Sequence, residues 1–236
     1  MNFEEHAAKP LLAGLGIAVP RGGLAQTPDA AAAIAARLGA VVVKAQVPTG
    51  KRGKAGGIKL AATPDEARNH AEAIIGMEIA GHRVEKVLIE ERMPIERELY
   101  AAVLNDPASQ GPLVMFSTAG GMDIEEMAAT APDRLHLRPV DIRRGLTHAD
   151  AATLVQGLAL GAAEGKVADT LARLYEVYAA YDAELVEINP LIVTTDGRVV
   201  ALDCKFVMDD SAIVRQSGVA RAGTPEKLTG LEASAK

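Results

Sequence analysis

The sequence predicts an α+β protein of two lobes, the smaller about residues 19–93 and the larger about 1–18 together with 94–236. Three observations point there. Two helix–strand units recur 36 residues apart in the first half of the chain. Strand-like stretches and a longer helical stripe fill the rest. Apolar residues make up 49% of the 236, enough for two cores in one folded chain.

Residues 3–15 carry a helical pattern that ends near Gly14 and Gly16. Thr27-Pro28-Asp29 then opens a helix through Leu38. A Thr hydroxyl accepts from N–H groups that the first turn leaves unpaired, and Pro suits the first helical position. Ile34 and Leu38 share a face, Gly39 ends the helix, and the strand Val41-Val42-Val43 follows. Thr63-Pro64-Asp65-Glu66 repeats the opening as a capping box. Ile74 and Ile75 are its apolar residues, Gly76 its stop, and Lys86–Glu90 the strand behind it. Two copies do not make a solenoid; they read as paired α/β units of one lobe.

In the larger lobe, 98–105 and 113–117 pair as a hairpin across Asn105-Asp106-Pro107. Gly120 to Glu126 turns into a short helix, and Thr147-His148-Ala149-Asp150 caps another. Val167, Leu171, Leu174, Tyr175 and Tyr178 fall on one helical stripe, read as core. A last hairpin joins 184–188 with 199–204 through Leu191-Ile192-Val193 and the turn Thr195-Asp196-Gly197-Arg198. Ala222 to Lys236 is polar and Ala-rich, without a clear stop.

Composition excludes several classes. Aromatics are 3% with no Trp, too few to stack single-stranded bases. The net charge of -6 argues against a general nucleic-acid binder. Cys204 stands alone, so neither an internal disulfide framework nor a CxxC metal site is available. The five histidines lack metal-ligand spacing to one another. No apolar run reaches the roughly 18 residues of a membrane span, and Met1-Asn2-Phe3-Glu4-Glu5 is not a basic signal region. A soluble, reducing, cytoplasmic setting is expected.

The chemistry-bearing residues fall in three places. Lys44 follows three β-branched residues and sits at or near a strand end. Facing inward, it needs an anion such as a phosphate; facing outward, it is a surface lysine. Gly50 to Gly57 holds four glycines with Lys51, Arg52 and Lys54. Such a loop can bring backbone N–H groups and cations to phosphate oxygens. It lacks GxxxxGK[ST] spacing, and the alternative is a mobile basic hairpin. Glu90 and Glu98 bracket a charged stretch that is either a hinge or an edge for adenine and ribose.

Glu187 and Asn189 share a strand face by alternation, and Pro190 ends regular pairing beside them. Asp203 lies in an otherwise apolar strand, paired either with Lys205 or with a cation. An amide oxygen and a carboxylate, completed by phosphate oxygens, suit Mg2+. Cys204 points away from Asp203 and reads as packing.

In order, these motifs resemble the ATP-grasp region of the succinyl-CoA synthetase β subunit and of malate-CoA ligases. The resemblance runs nearly end to end, through Met1–Lys9, Val43-Lys44-Ala45-Gln46-Val47, Arg52–Gly57, Glu98-Leu99-Tyr100, Gly120–Glu126, Glu187–Leu191 and Leu202-Asp203. It implies an ATP-grasp fold with nucleotide between two α+β lobes. It further implies that Lys44, Lys51, Arg52, Gly53, Glu90, Met93 (by backbone) and Glu98 contact ATP or ADP, and that Asn189 and Asp203 hold Mg2+. Glu187, with Arg52, would serve phosphoryl transfer, Glu187 facing a phosphohistidine on a partner α subunit. In that family carboxylate, CoA and ATP give acyl-CoA, ADP and phosphate through an acyl phosphate.

Three departures stand out. Lys51 replaces a frequent glycine and Pro48 a frequent histidine. The family's β subunit also continues into a flavodoxin-like domain that this sequence does not include. CoA and most carboxylate contacts are therefore expected only in a fuller hetero-oligomeric complex. Two other readings stay open: a stand-alone ATP-grasp carboxylate ligase, and a non-catalytic ATP-binding module.

Overall fold

The computed structural model describes residues 1–50 and 52–225. Lys51 and most of the Ala222–Lys236 tail (226–236) therefore lie outside the described residues.

Along the chain the elements are β1 (Asn2–Phe3), α1 (Glu5–Gly14), β2 (Gly22–Ala25), α2 (Pro28–Leu38), β3 (Val41–Ala45), β4 (Ile58–Ala61), α3 (Pro64–Ile74), β5 (Glu78–Ile79), β6 (His82–Arg83) and β7 (Val87–Glu91). There follow β8 (Ile95–Asp106), β9 (Gly111–Ser117), α4 (Ile124–Thr130), β10 (His136–Pro139), α5 (His148–Val155), α6 (Glu164–Ala180), β11 (Ala183–Thr194), β12 (Val199–Ala201), β13 (Lys205–Met208), α7 (Ser217–Ala220) and β14 (Gly223–Thr224). No helix among the described residues is long and apolar enough to cross a membrane.

Two larger sheets organise these elements, beside a separate β5–β6 pair. The smaller runs β2-β7-β3-β4, antiparallel throughout. Thr27 and Thr63 cap α2 and α3 as expected, their hydroxyls accepting from Ala30 and Glu66 N–H. The reciprocal arm at Thr63 differs: Glu66 accepts from Ala62 N–H, one residue before the cap. Ala31, Ile34 and Ala35 of α2, with Ala67, Ala71 and Ile74 of α3, cover Val41, Val43, Val87 and Ile89. With one face buried, alternation turns Val42 and Lys44 to the other.

The larger sheet runs β10-β9-β8-β11-β13-β1-β14, with β12 paired to β11. Helices α1, α5 and α6 cover one face. The stripe Val167, Leu171 and Leu174 is fully buried there, with Tyr175 beside it and Tyr178 packed at the margin. Thr147 and Asp150 form a complete capping box on α5.

Three expectations are corrected at this level. Residues Asn2–Phe3 extend the large sheet instead of opening the first helix. Residues 183–187 pair with 205–208, whereas 199–201 pair with Leu191–Val193. Asp203 therefore sits in the bend between β12 and β13, outside any strand, where backbone curvature frees its side chain from the pleat. Regular pairing is interrupted at Pro190, as expected, but it resumes at Leu191. The strand continues past a register shift between Ile188 and Leu191, a bulge that removes Asn189 and Pro190 from regular pairing.

Candidate functional site

A cleft of about 970 Å³ separates the two sheets. Lys44, Arg52, Gly53, Glu90 and Met93 line it from the small-sheet side, and Glu187, Asn189 and Asp203 from the large. Eight expected site residues thus share one space. Glu98 is exposed and does not line the cleft; its carboxylate rests on Gly121, where a Cβ would fall 2.3 Å from Oε2. Lys51 lies outside the described residues.

A buried ion network occupies the floor. Lys44 Nζ donates to Glu5 Oε1 at 2.9 Å, Glu90 Oε2 at 2.7 Å and the Leu202 carbonyl at 2.5 Å. These contacts match the three donors of an ammonium. Burial alone would lower the Lys44 pKa, but Glu5, Glu90 and Asp203 more than offset it and raise it. The surface-lysine alternative is therefore excluded by position. Lys9 reaches both Glu90 oxygens, at 2.5 and 2.6 Å, and Glu5 at 2.7 Å. Both oxygens of Glu90, expected to meet ribose or adenine, are thus engaged by ammonium groups.

Arg52 closes the network from the glycine loop. Its Nη1 donates to the Ala45 carbonyl at 3.0 Å and lies 2.7 Å from Glu5 Oε2, and its Nη2 donates to Asp203 Oδ1 at 2.6 Å. The guanidinium is 5% exposed. Burial opposes its charge, and Asp203 and Glu5 outweigh burial, raising its pKa. Among the described residues Asp203 pairs with Arg52 rather than with Lys205, the local alternative. Glu5 is likewise held well below the usual carboxylate range, because Lys44, Lys9 and Arg52 together overcome the upward push of burial.

The large-sheet side is ordered by short contacts. Asn189 Oδ1 accepts from Gly121 N–H at 2.7 Å, and Nδ2 donates to the Met122 carbonyl at 2.8 Å. The turn can approach so closely because residue 120 is glycine: a Cβ there would lie 2.2 Å from the Leu99 carbonyl oxygen. Tyr100 donates to Glu187 Oε2 at 3.2 Å. Burial pushes the Glu187 carboxyl above its ordinary pKa, against the pull of Lys205. Burial also raises the Cys204 thiol, in keeping with a packing residue.

The donor set suits a hard divalent cation. Asn189 and Asp203 both line the cleft, where Asn189 Oδ1 accepts from Gly121 N–H and Asp203 Oδ1 from Arg52. No group of three or more His, Cys, Asp or Glu gathers as a metal site among the described residues. Mg2+ tolerates that, since it takes one or two protein oxygens and completes its shell with water and phosphate.

Sequence reasoning assigned no role to Glu5, Lys9 or Tyr100. For the first two a signal existed. Glu5, Ala8, Lys9 and Leu12 are the buried residues of α1, at i, i+3, i+4 and i+7. Two charges on the apolar face of an amphipathic helix announce a buried pair.

Comparisons with known proteins agree with this geometry. An ATP-grasp domain family matches residues 2–193. A GDP-forming succinate–CoA ligase subunit beta from Thermus thermophilus is 44% identical over 236 residues, covering 100% of this chain and 62% of that protein. An ADP-forming succinate–CoA ligase subunit beta 2 from Streptomyces coelicolor is 46% identical over 218 residues, 92% of this chain and 56% of the relative. The chain therefore spans roughly three-fifths of the relatives it matches. Among solved structures, a dinucleotide-forming acetyl-coenzyme A synthetase of Ca. Korarchaeum cryptofilum has a TM-score of 0.74 at 23% identity, covering 87% of this chain and 93% of its own. The ATP citrate lyase of Methanothrix soehngenii has a TM-score of 0.72 at 24% identity, covering 96% of this chain and 57% of its own. These two establish likeness of fold. The sequence matches carry the assignment, and with them the expected fold class is borne out: the chain belongs to the ATP-grasp domain family, within which it resembles the β subunits of succinate–CoA ligases.

Proposed function

We propose that this chain is the nucleotide-binding, phosphoryl-transferring part of an acid–CoA ligase that works with an α subunit carrying a phosphorylatable histidine. The observation that supports it is one cleft with buried cations on one wall and an acid, an amide and a carboxylate on the other. Lys44 and Arg52 supply positive charge where a nucleotide's phosphates would lie, and the backbone at Gly53 allows close approach. The stretch at Met93 would take the base through its backbone, with Glu98 contributing from the rim. Glu90 acts here by holding Lys44 in place. Asn189 and Asp203 would hold Mg2+, which supplies charge neutralisation of phosphate oxygens. Glu187 would face the incoming histidine.

In the balanced reaction, carboxylate, CoA and nucleoside triphosphate give acyl-CoA, nucleoside diphosphate and phosphate. The phosphoryl group passes from nucleotide to histidine at this cleft. Catalysis at this end is positioning and electrostatic stabilisation. The CoA site and most carboxylate contacts belong to the remainder of the complex, so this chain alone is expected to make no acyl-CoA.

Calorimetry tests the reading directly. The chain should bind Mg-ADP or Mg-GDP, the two diphosphates named among its relatives. Asp203→Asn keeps the side chain's size and removes one charge. We expect a loss of Mg-nucleotide affinity of about tenfold or more, the scale of one charge-assisted contact. The thermal midpoint should fall less than on loss of a fully buried carboxylate, because Asp203 is 32% exposed and Arg52 keeps Glu5 as a partner. No binding by the parent at millimolar nucleotide would remove the reading. Equal affinity in parent and variant would remove Asp203 from the site.

A further inference from the structure

The three buried cations of the network come from three places: Lys9 from α1, Lys44 from β3 and Arg52 from the glycine loop. One carboxylate touches all of them. Glu5 Oε1 lies 2.7 Å from Lys9 and 2.9 Å from Lys44, and Oε2 lies 2.7 Å from Arg52. Among the described residues, Glu90 pairs with the two lysines and Asp203 with Arg52. Glu5 is also the more deeply set, its side chain 1% exposed against 32% for Asp203.

The two ends of Arg52 are therefore unequal. Nη1 is fixed inside the protein by Glu5 and the Ala45 carbonyl, whereas Nη2 points at a carboxylate on the cleft wall. An incoming phosphate or cation meets the second contact first, because Asp203 is the more exposed of the two carboxylates. Lys44 is held by the same buried carboxylate. The separation of the two cations is thus set by a deeply buried carboxylate at the floor of the cleft.

We propose that Glu5 is the positioning residue for the phosphate-facing pair Lys44 and Arg52, so that the first helix sets the geometry at which this cleft receives a phosphorylated nucleoside. The proposal rests on the nucleotide reading above. Its physical basis is preorganisation: a fork and an ammonium already held in place lose less freedom when phosphate arrives. A second carboxylate adjacent to the cations would merely lower their attraction for phosphate, unless its effect on geometry dominates. The bidentate hold, one oxygen on each side, favours geometry.

The test compares Glu5→Gln, isosteric and uncharged, with the double variant Glu5→Gln/Lys9→Gln. The single variant leaves three buried cations facing two carboxylates. The double variant leaves Lys44 and Arg52 facing Glu90 and Asp203, so neutrality is restored without Glu5. Calorimetry would measure Mg-ADP and adenosine, which lacks phosphate, beside thermal unfolding. We expect Glu5→Gln to weaken Mg-ADP about tenfold and to leave adenosine affinity and binding stoichiometry unchanged. The double variant should regain much of the thermal midpoint and none of the Mg-ADP affinity.

Recovery of Mg-ADP affinity in the double variant would show that charge balance alone was at issue and overturn the proposal. Unchanged or tighter Mg-ADP binding in Glu5→Gln would overturn it too, as would equal losses for adenosine and Mg-ADP, which mark a general structural role. If the parent binds no Mg-ADP, the nucleotide reading falls and takes this proposal with it; normal parent binding with a failed Glu5 arm removes the positioning role alone.

Discussion

Replacing Lys9 with methionine is expected to destabilise the protein by about 3–5 kcal/mol, the range for removing one partner from a buried ion pair. Its side chain is 5% exposed and closes on Glu5 and Glu90. The network balances Lys9, Lys44 and Arg52 against Glu5, Glu90 and Asp203. Methionine matches the length of the lysine stem but leaves an excess carboxylate where water does not reach, and that desolvation dominates the cost. Removing Glu90 as well, in Lys9→Met/Glu90→Gln, restores the balance and should lose clearly less than the sum of the two single changes. Urea unfolding of the four proteins measures this. A single-variant loss under about 1 kcal/mol, the surface-pair range, would mean that solvent or rearrangement compensates the charge.

The second large effect belongs to the complete ligase. With the α subunit and the remaining domain present, Glu187→Gln should slow phosphohistidine formation by about 10²–10⁴-fold, the range for a side chain that moves or holds a proton in the transition state. Nucleotide affinity should stay within about twofold, because Glu187 stands on the large-sheet wall, where Tyr100 donates to it and the proposed partner is an incoming histidine. Rapid-quench measurement of phosphohistidine beside equilibrium ADP binding separates the two. This is the pattern of an interaction made in the transition state and absent from the ground state. Equal losses in both would make Glu187 a nucleotide-binding or structural residue.

Local rules made much of the fold legible. The Thr-Pro-Asp openings of α2 and α3 act through contacts within three residues, so spacing suffices to find them. The α6 stripe follows from the helical period, whereas the strand period leaves Lys44 open to either face until the helices covering Val41 and Val43 are placed. The bulge at Asn189-Pro190 and the bend at Asp203 escaped because both break the period from which they would have been inferred. The ion partners escaped for another reason. Glu5 meets Arg52, and Lys9 meets Glu90, only after the chain has folded back over long separations, and no local spacing encodes that encounter. The helical period could show that Glu5 and Lys9 share the buried face of α1, but not which residues would meet them there. Glu98 shows the reverse limit: a motif matched by order along the chain ended beside the cleft, turned against Gly121.

The placement of β1 governs the order in which the molecule can assemble. All four strands of the small sheet come from one continuous stretch, Gly22 to Glu91. The large sheet seats its first strand, Asn2–Phe3, between β13 and β14, near the far end of the described chain. On a ribosome, which adds about 5–20 residues per second, the small sheet can form while the large one still lacks the neighbours of β1. Closing it is a high-contact-order event that must await late loop closure. Helix α1 waits with it, and so does the charge network on the cleft floor. The proposed nucleotide site therefore becomes native after the small sheet, and no partly synthesised chain that stops short of residue 203 can complete it.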